Sequence, residues 1–380
     1  MTPESHRATS FEIFFDLVFV FAITRVVSFM AHEPSAPALA RGLILLLLLW
    51  WSWAAYAWLG NRVHADRGVV RTGMLVAMAA LFVAALVMPD AFTRHPGGPG
   101  APLILALAFA VVRAVYVGLH LSATGGDRRL RAQLLLDTIP QTISLLALLT
   151  GALLTQTWQT ILWAAAFAID FGGGRLASRL GGWTIRSAGH FAERHRMVLI
   201  IALGESLVSA GAGAGDALTR PEVLLAALVG FAAVACLWLL YFSRVADTAE
   251  AALERAPAPR RAQLARDAYT LVHFVLIAGA LYLALGTHEV LAALSDGHHL
   301  TWPTVLPLYA GAALYLLGRA AFTAITVRSV PPAQLVTAGA LLLLLPLART
   351  LPPLAALAIV TAALLVLTAI ERRTDDHSTS

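Results

Sequence analysis

Glu205 is the residue of this chain best placed for chemistry. It stands in Met197-Val-Leu-Ile-Ile-Ala-Leu-Gly-Glu205-Ser-Leu-Val-Ser209, an apolar stretch that follows a charged cluster, His190, Glu193, Arg194, His195 and Arg196. On a helix, the residues from Arg196 to Glu205 rise about 13 Å, which puts the carboxylate near the middle of a hydrocarbon core about 30 Å thick. An acid at that depth is expected to bind a proton or cation, and the adjacent Gly204 and Ser206 leave room for a backbone, water or ion. Glu12 and Asp16 stand four apart in a second apolar stretch, Phe11 to Arg25, and so share a helix face. Glu12 is expected to reach the membrane interface, whereas Asp16 lies deeper and must face protein or water. Arg25 is expected to extend its stem outward to the far interface.

Further ionisable groups fall inside or at the ends of other apolar stretches: Arg113, Asp137 with Pro140 and Gln141, Asp170, His273 and Arg319. Arg113 and Arg319 are expected to pair with Asp16, Asp137 and Glu205. Such pairs either hold helices in register, at about 1 kcal/mol each, or set the protonation of the acids. His190, Glu193 and His195 do not have the spacing of a helical zinc motif, because His195 lies five residues from His190 and points off its face. A capping and lipid-headgroup role is expected for them instead. Trp50, Trp51, Trp53 and Trp58 read as an aromatic belt or as helix packing. No nucleophile–base pair stands at usable spacing, so an enzyme is not expected, and no cofactor is implied.

The elements that must position these groups are membrane helices. The 380 residues are 59% hydrophobic and 13% charged, with a mean hydropathy of +0.75, against about 25% charged residues in an ordinary soluble protein. The net charge is +5, but its arginines cluster in short loops between apolar runs, which marks membrane topology rather than nucleic-acid binding. Cys236 is the single cysteine and excludes an intramolecular disulfide. Residues 1–10 resemble the start of a signal peptide, but the run behind them contains Asp16 and lacks a small-residue cleavage site, so it is expected to stay as a helix.

Twelve apolar runs are long enough to span: 11–30, 41–59, 69–89, 102–122, 132–154, 157–172, 195–214, 222–243, 269–288, 303–323, 332–348 and 353–370. With the N-terminus inside, one set of loops holds nearly all the arginines outside the spans, and the opposite set only Arg41, Arg94, Arg220 and Arg349. Both termini are therefore expected in the cytoplasm. The chain also repeats. Aligning Glu12 with Glu193 places Leu17 to Ile23 over Val198 to Gly204. Trp53-x-x-Tyr56 then answers Trp238-x-x-Tyr241, Arg71 answers Arg266, and Arg113 answers Arg319. The expected fold is all-α and polytopic, with residues 1–186 and 187–380 as two parallel six-helix repeats and a substrate path between them. Glu205 aligns with Thr24 and not with Asp16, so any central site would be asymmetric. Gly172-Gly173-Gly174 and Gly181-Gly182 read as a flexible join between the repeats, and residues 249–266 as a charged, solvated loop.

Glu12-x-Phe-Phe-Asp16-Leu-Val-Phe-Val-Phe-Ala-Ile-Thr24, together with His190-Phe-x-Glu193-Arg194 and Gly204-Glu205-Ser206, resembles the bacterial low temperature requirement A family. The resemblance implies a multi-pass protein of the bacterial cytoplasmic (inner) membrane linked to growth in the cold. Arg25 departs from it, since an uncharged amide is expected after the threonine. The same first-helix stretch is loosely similar to the Phe-Ser-Asp motif of a potassium channel family with two six-helix repeats. Three functions follow from these readings. The leading one is a secondary transporter in which Glu205 binds the ion, Asp16 is its counterpart, and Glu12, Ser206, Asp137, Arg113 and Arg319 complete the site. The others are a cation channel and an envelope-lipid or structural factor for cold growth. The expected partners are the lipid bilayer and a small solute or cation, with a homodimer compatible and nucleic acid excluded.

Overall fold

A backbone surrounded by lipid must satisfy its own hydrogen bonds, which makes helices the outcome for runs of Leu, Ala and Val. The computed structural model describes residues 8–62, 68–93, 100–123, 128–179, 185–217 and 219–379. Within them it describes all side chains but those of 123, 128–133, 135–137, 177–179 and 374–379. The described residues are helical with no strand: α1 (Ser10–His32), α2 (Ala36–Gly60), α3 (Gly68–Val87), α4 (Ala101–Ala123), α5 (Arg128–Leu153), α6 (Gln156–Arg179) and α7 (Ala188–Ala214) come first. They are followed by α8 (Pro221–Phe242), α9 (Val245–Arg255), α10 (Ala258–Leu264), α11 (His273–Asp296), α12 (Trp302–Thr326), α13 (Pro332–Ala348) and α14 (Pro353–Thr379). A π-helical stretch, Ala265–Val272, joins α10 to α11. Val69, Leu228, Val336 and Leu343 are among the many large apolar side chains left on the outer surface, where lipid rather than water suits them.

Among the described residues, nine helices are long and apolar enough to cross a membrane, against the twelve runs read from the sequence. α5, α6 and α13 fall short for physical reasons. α13 has 17 residues, α5 is apolar only over Thr138–Leu153, and α6 carries Gln156, Gln159, Asp170 and three consecutive glycines.

The chain forms two compact units, residues 1–29 with 40–191 and residues 30–39 with 192–380, so the division falls inside α7 between Phe191 and Ala192. In the first unit α3 packs on α4, α4 on α5 and α5 on α6. The Tyr56 hydroxyl of α2 donates to the Val112 carbonyl of α4 at 2.9 Å, and Trp163 Nε1 of α6 donates to the Leu148 carbonyl of α5 at 3.0 Å. The Gly172-Gly173-Gly174 run is not a flexible join. It lies within α6, where a Cβ on Gly173 would fall 2.2 Å from Pro140 Cβ of α5 and one on Gly174 3.3 Å from Trp51. The glycines make space for a proline ring and an indole. Gly181 and Gly182 lie outside the described residues.

The second unit is built around α11 and α12, its most intimate pair. Gly279 and Gly286 on α11, and Gly311 and Gly318 on α12, are each seven residues apart, so each pair lies on one face. A Cβ on Gly279 would lie 2.4 Å from the Tyr315 backbone nitrogen, and one on Gly286 2.4 Å from Leu308 Cα. On the other helix, a Cβ on Gly311 would lie 2.6 Å from the Leu283 nitrogen and one on Gly318 3.0 Å from the Leu276 nitrogen. Small residues at this spacing let two backbones touch, which suits helix association in lipid. α11 ends on Gly297 in the left-handed conformation, φ 72°, and α12 begins with a capping box of Thr301 and Thr304. The stretch 249–266 is likewise not a solvated loop. It forms α9, α10 and the start of the π stretch, and Ala246, Ala249 and Leu253 of α9 are buried.

This packing predicts that Gly286→Ala destabilises the protein by about 1–3 kcal/mol, because a methyl must enter a backbone contact. Gly339→Ala, in open space on α13, is expected to stay within about 0.5 kcal/mol of wild type. Thermal unfolding in detergent distinguishes the two.

Candidate functional site

The first unit holds Glu12 and Asp16 in separate settings. Thr9 caps α1. Its Oγ1 accepts from the Glu12 amide at 3.2 Å, while its amide and hydroxyl each donate to Glu12 Oε2 at 3.0 Å. The same oxygen accepts from His190 Nε2 at 3.0 Å, and His190 in turn follows Ser187, whose Oγ accepts from the His190 amide at 3.3 Å. Glu12 is thus buried in protein contacts rather than reaching the interface. His190 and His195 are buried as well, which removes the headgroup role expected for them. Asp16 is 1% exposed and accepts from Trp53 Nε1 at 2.8 Å. The tryptophan cluster is helix packing here: Trp53 stacks on Trp50 at 4.9 Å, and Trp58 meets Phe191 edge-on at 5.0 Å.

The intramembrane arginines pair with acids other than those expected. Arg113 of α4 forms a two-pronged ion pair with Asp170 of α6 and donates to the Gln141 carbonyl at 2.9 Å. Ser144 of α5 donates to the same carboxylate at 2.9 Å. Arg319 of α12 holds Glu371 of α14 through both Nη atoms, at 2.8 and 2.6 Å, and Gln334 of α13 donates to that carboxylate at 3.1 Å. Planar guanidinium groups favour such forked contacts with carboxylates. Arg113 and Arg319 therefore serve Asp170 and Glu371, and not Asp16 or Glu205. Asp137 lies outside the residues whose side chains are described.

Glu205 belongs to the second unit, on the buried face of α7. It is 3% exposed, and Ser209 Oγ, one turn on, donates to its Oε1 at 2.9 Å. Ser206 Oγ is also buried and has no hydrogen-bond partner among the described residues. That is unusual in this protein. The hydroxyls of Thr24, Ser52, Thr287, Thr361 and Thr368 all bond back to the carbonyl four residues earlier, as hydroxyls in apolar helices generally do. α7 runs parallel to α11. His273 Nε2 donates to the His195 carbonyl at 3.0 Å, His288 Nδ1 to the Ser209 carbonyl at 3.1 Å and Ser295 Oγ to the Ala214 carbonyl at 2.9 Å. Gly213 permits this contact, since a Cβ there would lie 2.4 Å from the His288 carbonyl oxygen. Ser209, His288 and Glu289 escaped the sequence reading, although Ser209 stands one helical turn from Glu205.

At the head of the same pair of helices, His195 and His273 pack edge-on at 5.4 Å, with Tyr269, Tyr241 and Phe322 around them. His273 is a hydrogen-bonded core histidine at the end of the π stretch, a kind of helix defect that recurs at functional sites. Arg196 bridges to Asp247 at 2.8 Å and Glu250 at 2.7 Å on α9, which explains why the charges of that segment belong to a docked helix.

The Arg113–Asp170 pair is open to a double-mutant cycle. Asp170→Asn is expected to lower stability by about 3 kcal/mol, because the guanidinium loses its counter-charge in a buried site. Adding Arg113→Gln is expected to restore part of it, with a coupling of about 1–3 kcal/mol in thermal unfolding.

Comparison with known proteins adds the lineage. An uncharacterised protein of Rhizobium meliloti (strain 1021) is 26% identical over 295 residues, covering 75% of this chain and 70% of that protein. No solved structure matches the chain. The family model described as bacterial low temperature requirement A protein matches residues 7–369. That match takes in the α1 stretch from Glu12 to Thr24 and the α7 stretch around Glu205, and this multi-helix membrane protein belongs to the bacterial low temperature requirement A family.

Proposed function

We propose that this protein is a secondary transporter for an ion or small solute, and that Glu205 is its ion-binding carboxylate. One observation carries the reading. Glu205 is buried within an apolar helix with Ser209 bonded to it, and the following residue, Ser206, has a buried Oγ without a hydrogen-bond partner among the described residues, while Arg113 and Arg319 are engaged with Asp170 and Glu371. An unpaired buried hydroxyl is unfavourable by about 1–3 kcal/mol, and a bound cation that takes its oxygen as a ligand, or a solute that accepts its hydrogen bond, relieves that penalty. The small residue Gly204 precedes the acid and has nothing within 4 Å of where its Cβ would be.

The transporter reading includes twelve spans in two parallel repeats, with both termini cytoplasmic. The arginine pairs support the repeat. In each unit an arginine on one helix takes a carboxylate from the second helix on, and a polar side chain of the intervening helix donates to that carboxylate. Arg113 of α4, Ser144 of α5 and Asp170 of α6 form one set; Arg319 of α12, Gln334 of α13 and Glu371 of α14 form the other. The repeat is unequal where the ion would bind, because Thr24 takes the place of Glu205 and its hydroxyl bonds back to the Val20 carbonyl. Ion binding confined to the second repeat follows from this difference.

Flux measured in proteoliposomes under imposed proton and sodium gradients tests the proposal. Glu205→Gln is expected to reduce gradient-driven flux about tenfold or more while leaving the melting temperature near wild type. Full flux in that variant, together with normal growth in the cold, would show that the acid has no transport role.

A further inference from the structure

Glu289 of α11 is the most anomalous charge in the second unit. It is 8% exposed, and no described residue forms a hydrogen bond or ion pair with it. It stands one residue past His288, whose Nδ1 is bonded to the Ser209 carbonyl of α7, and Ser209 is the residue whose hydroxyl holds Glu205. The in-register bonds between α7 and α11 place Glu289 at about the level of Ala210, so it lies roughly 8 Å further along the helix pair than Glu205. The cations on elements packed against α11 hold other groups or lie at its opposite end, where Arg194 and Arg196 of α7 flank the His195–His273 bond and Arg372 and Arg373 of α14 follow Glu371, and the remaining charges are acids. Arg319 of α12 holds Glu371 of α14, and Arg220, just before α8, holds Glu222. Arg266 pairs with Asp267 in the π stretch, at the opposite end of α11, and Asp216, in the short turn after α7, is itself an acid.

A carboxylate buried without a partner is strongly unfavourable as an anion in apolar surroundings. It persists when something neutralises it. A metal cation needs several oxygen ligands, whereas one proton neutralises a carboxylate with no further ligand. We infer that Glu289 is a second ion-accepting carboxylate on the α7–α11 seam and that the ion it takes is a proton. The proton adds to one carboxylate oxygen to give the neutral acid and leaves from that oxygen when the acid ionises, with no other bond made or broken. This inference rests on the reading of Glu205 as the ion site. It adds that the coupling ion is a proton and that two carboxylates, staggered along one helix pair, carry it.

Dicyclohexylcarbodiimide labelling of the full-length protein in liposomes tests this, because the reagent forms a stable adduct with protonated carboxyls in apolar surroundings. Peptide mass mapping is expected to find the adduct on Glu289, less of it as pH rises, and the same amount with or without sodium. In the flux assay Glu289→Gln is expected to lower proton movement about tenfold or more, with Glu289→Asp keeping part of it. Absence of label at Glu289, or protection by sodium, overturns the inference whether or not the glutamine variant folds. Full proton movement in a folded Glu289→Gln protein beside an inactive Glu205→Gln protein overturns the role of Glu289 and leaves Glu205 standing. Full activity in both removes both.

Discussion

A charge inside a hydrocarbon layer has to be neutralised by the protein itself, and most of the buried polar structure of this chain follows from that constraint. Arg113 and Arg319 each meet a carboxylate two helices away and share it with a side chain from the helix between. Three helices are thereby tied at one point in each unit, in a medium where apolar contact alone gives little preference between helix neighbours. Glu12 is treated similarly, enclosed by the Thr9 cap and His190. Asp16 receives the indole of Trp53.

Against that background Glu289 stands out, since no described residue bonds or pairs with it, and it shares the α7–α11 pair with Glu205, which Ser209 holds from one turn on. The α7–α11 pair that carries them is held close by Gly213 and by three side-chain bonds to α7 carbonyls, and α11 is pressed against α12 through glycines at heptad spacing. A rigid, tightly packed α11 gives its acid a defined place, which a transport site requires.

Much of this is legible in the residues. The apolar runs locate the helices, and the distance from Arg196 places Glu205 deep. The correspondence of Arg113 with Arg319 anticipates a shared arrangement. The partners of those arginines are not legible, because Glu371 lies beyond the last apolar run, and nothing local ties Asp170 to an arginine 57 residues earlier. Glu289 is hidden by the charge that closes the ninth run at His288, although the helix continues to Asp296. Residues 249–266 look like a loop by charge, yet Ala246, Ala249 and Leu253 stand at the i, i+3, i+7 spacing of a helix face. The three glycines of α6 carry no local sign of their role, which depends on Pro140, more than thirty residues earlier, reaching the same point in space.

The central claim is that Glu205 changes its ionic state as the protein works. Infrared difference spectra of the reconstituted protein, recorded on proton and sodium jumps, observe that directly. The account predicts a carboxyl signal that follows the proton jump and disappears in Glu205→Gln. Spectra identical in wild type and Glu205→Gln for both ions would contradict it.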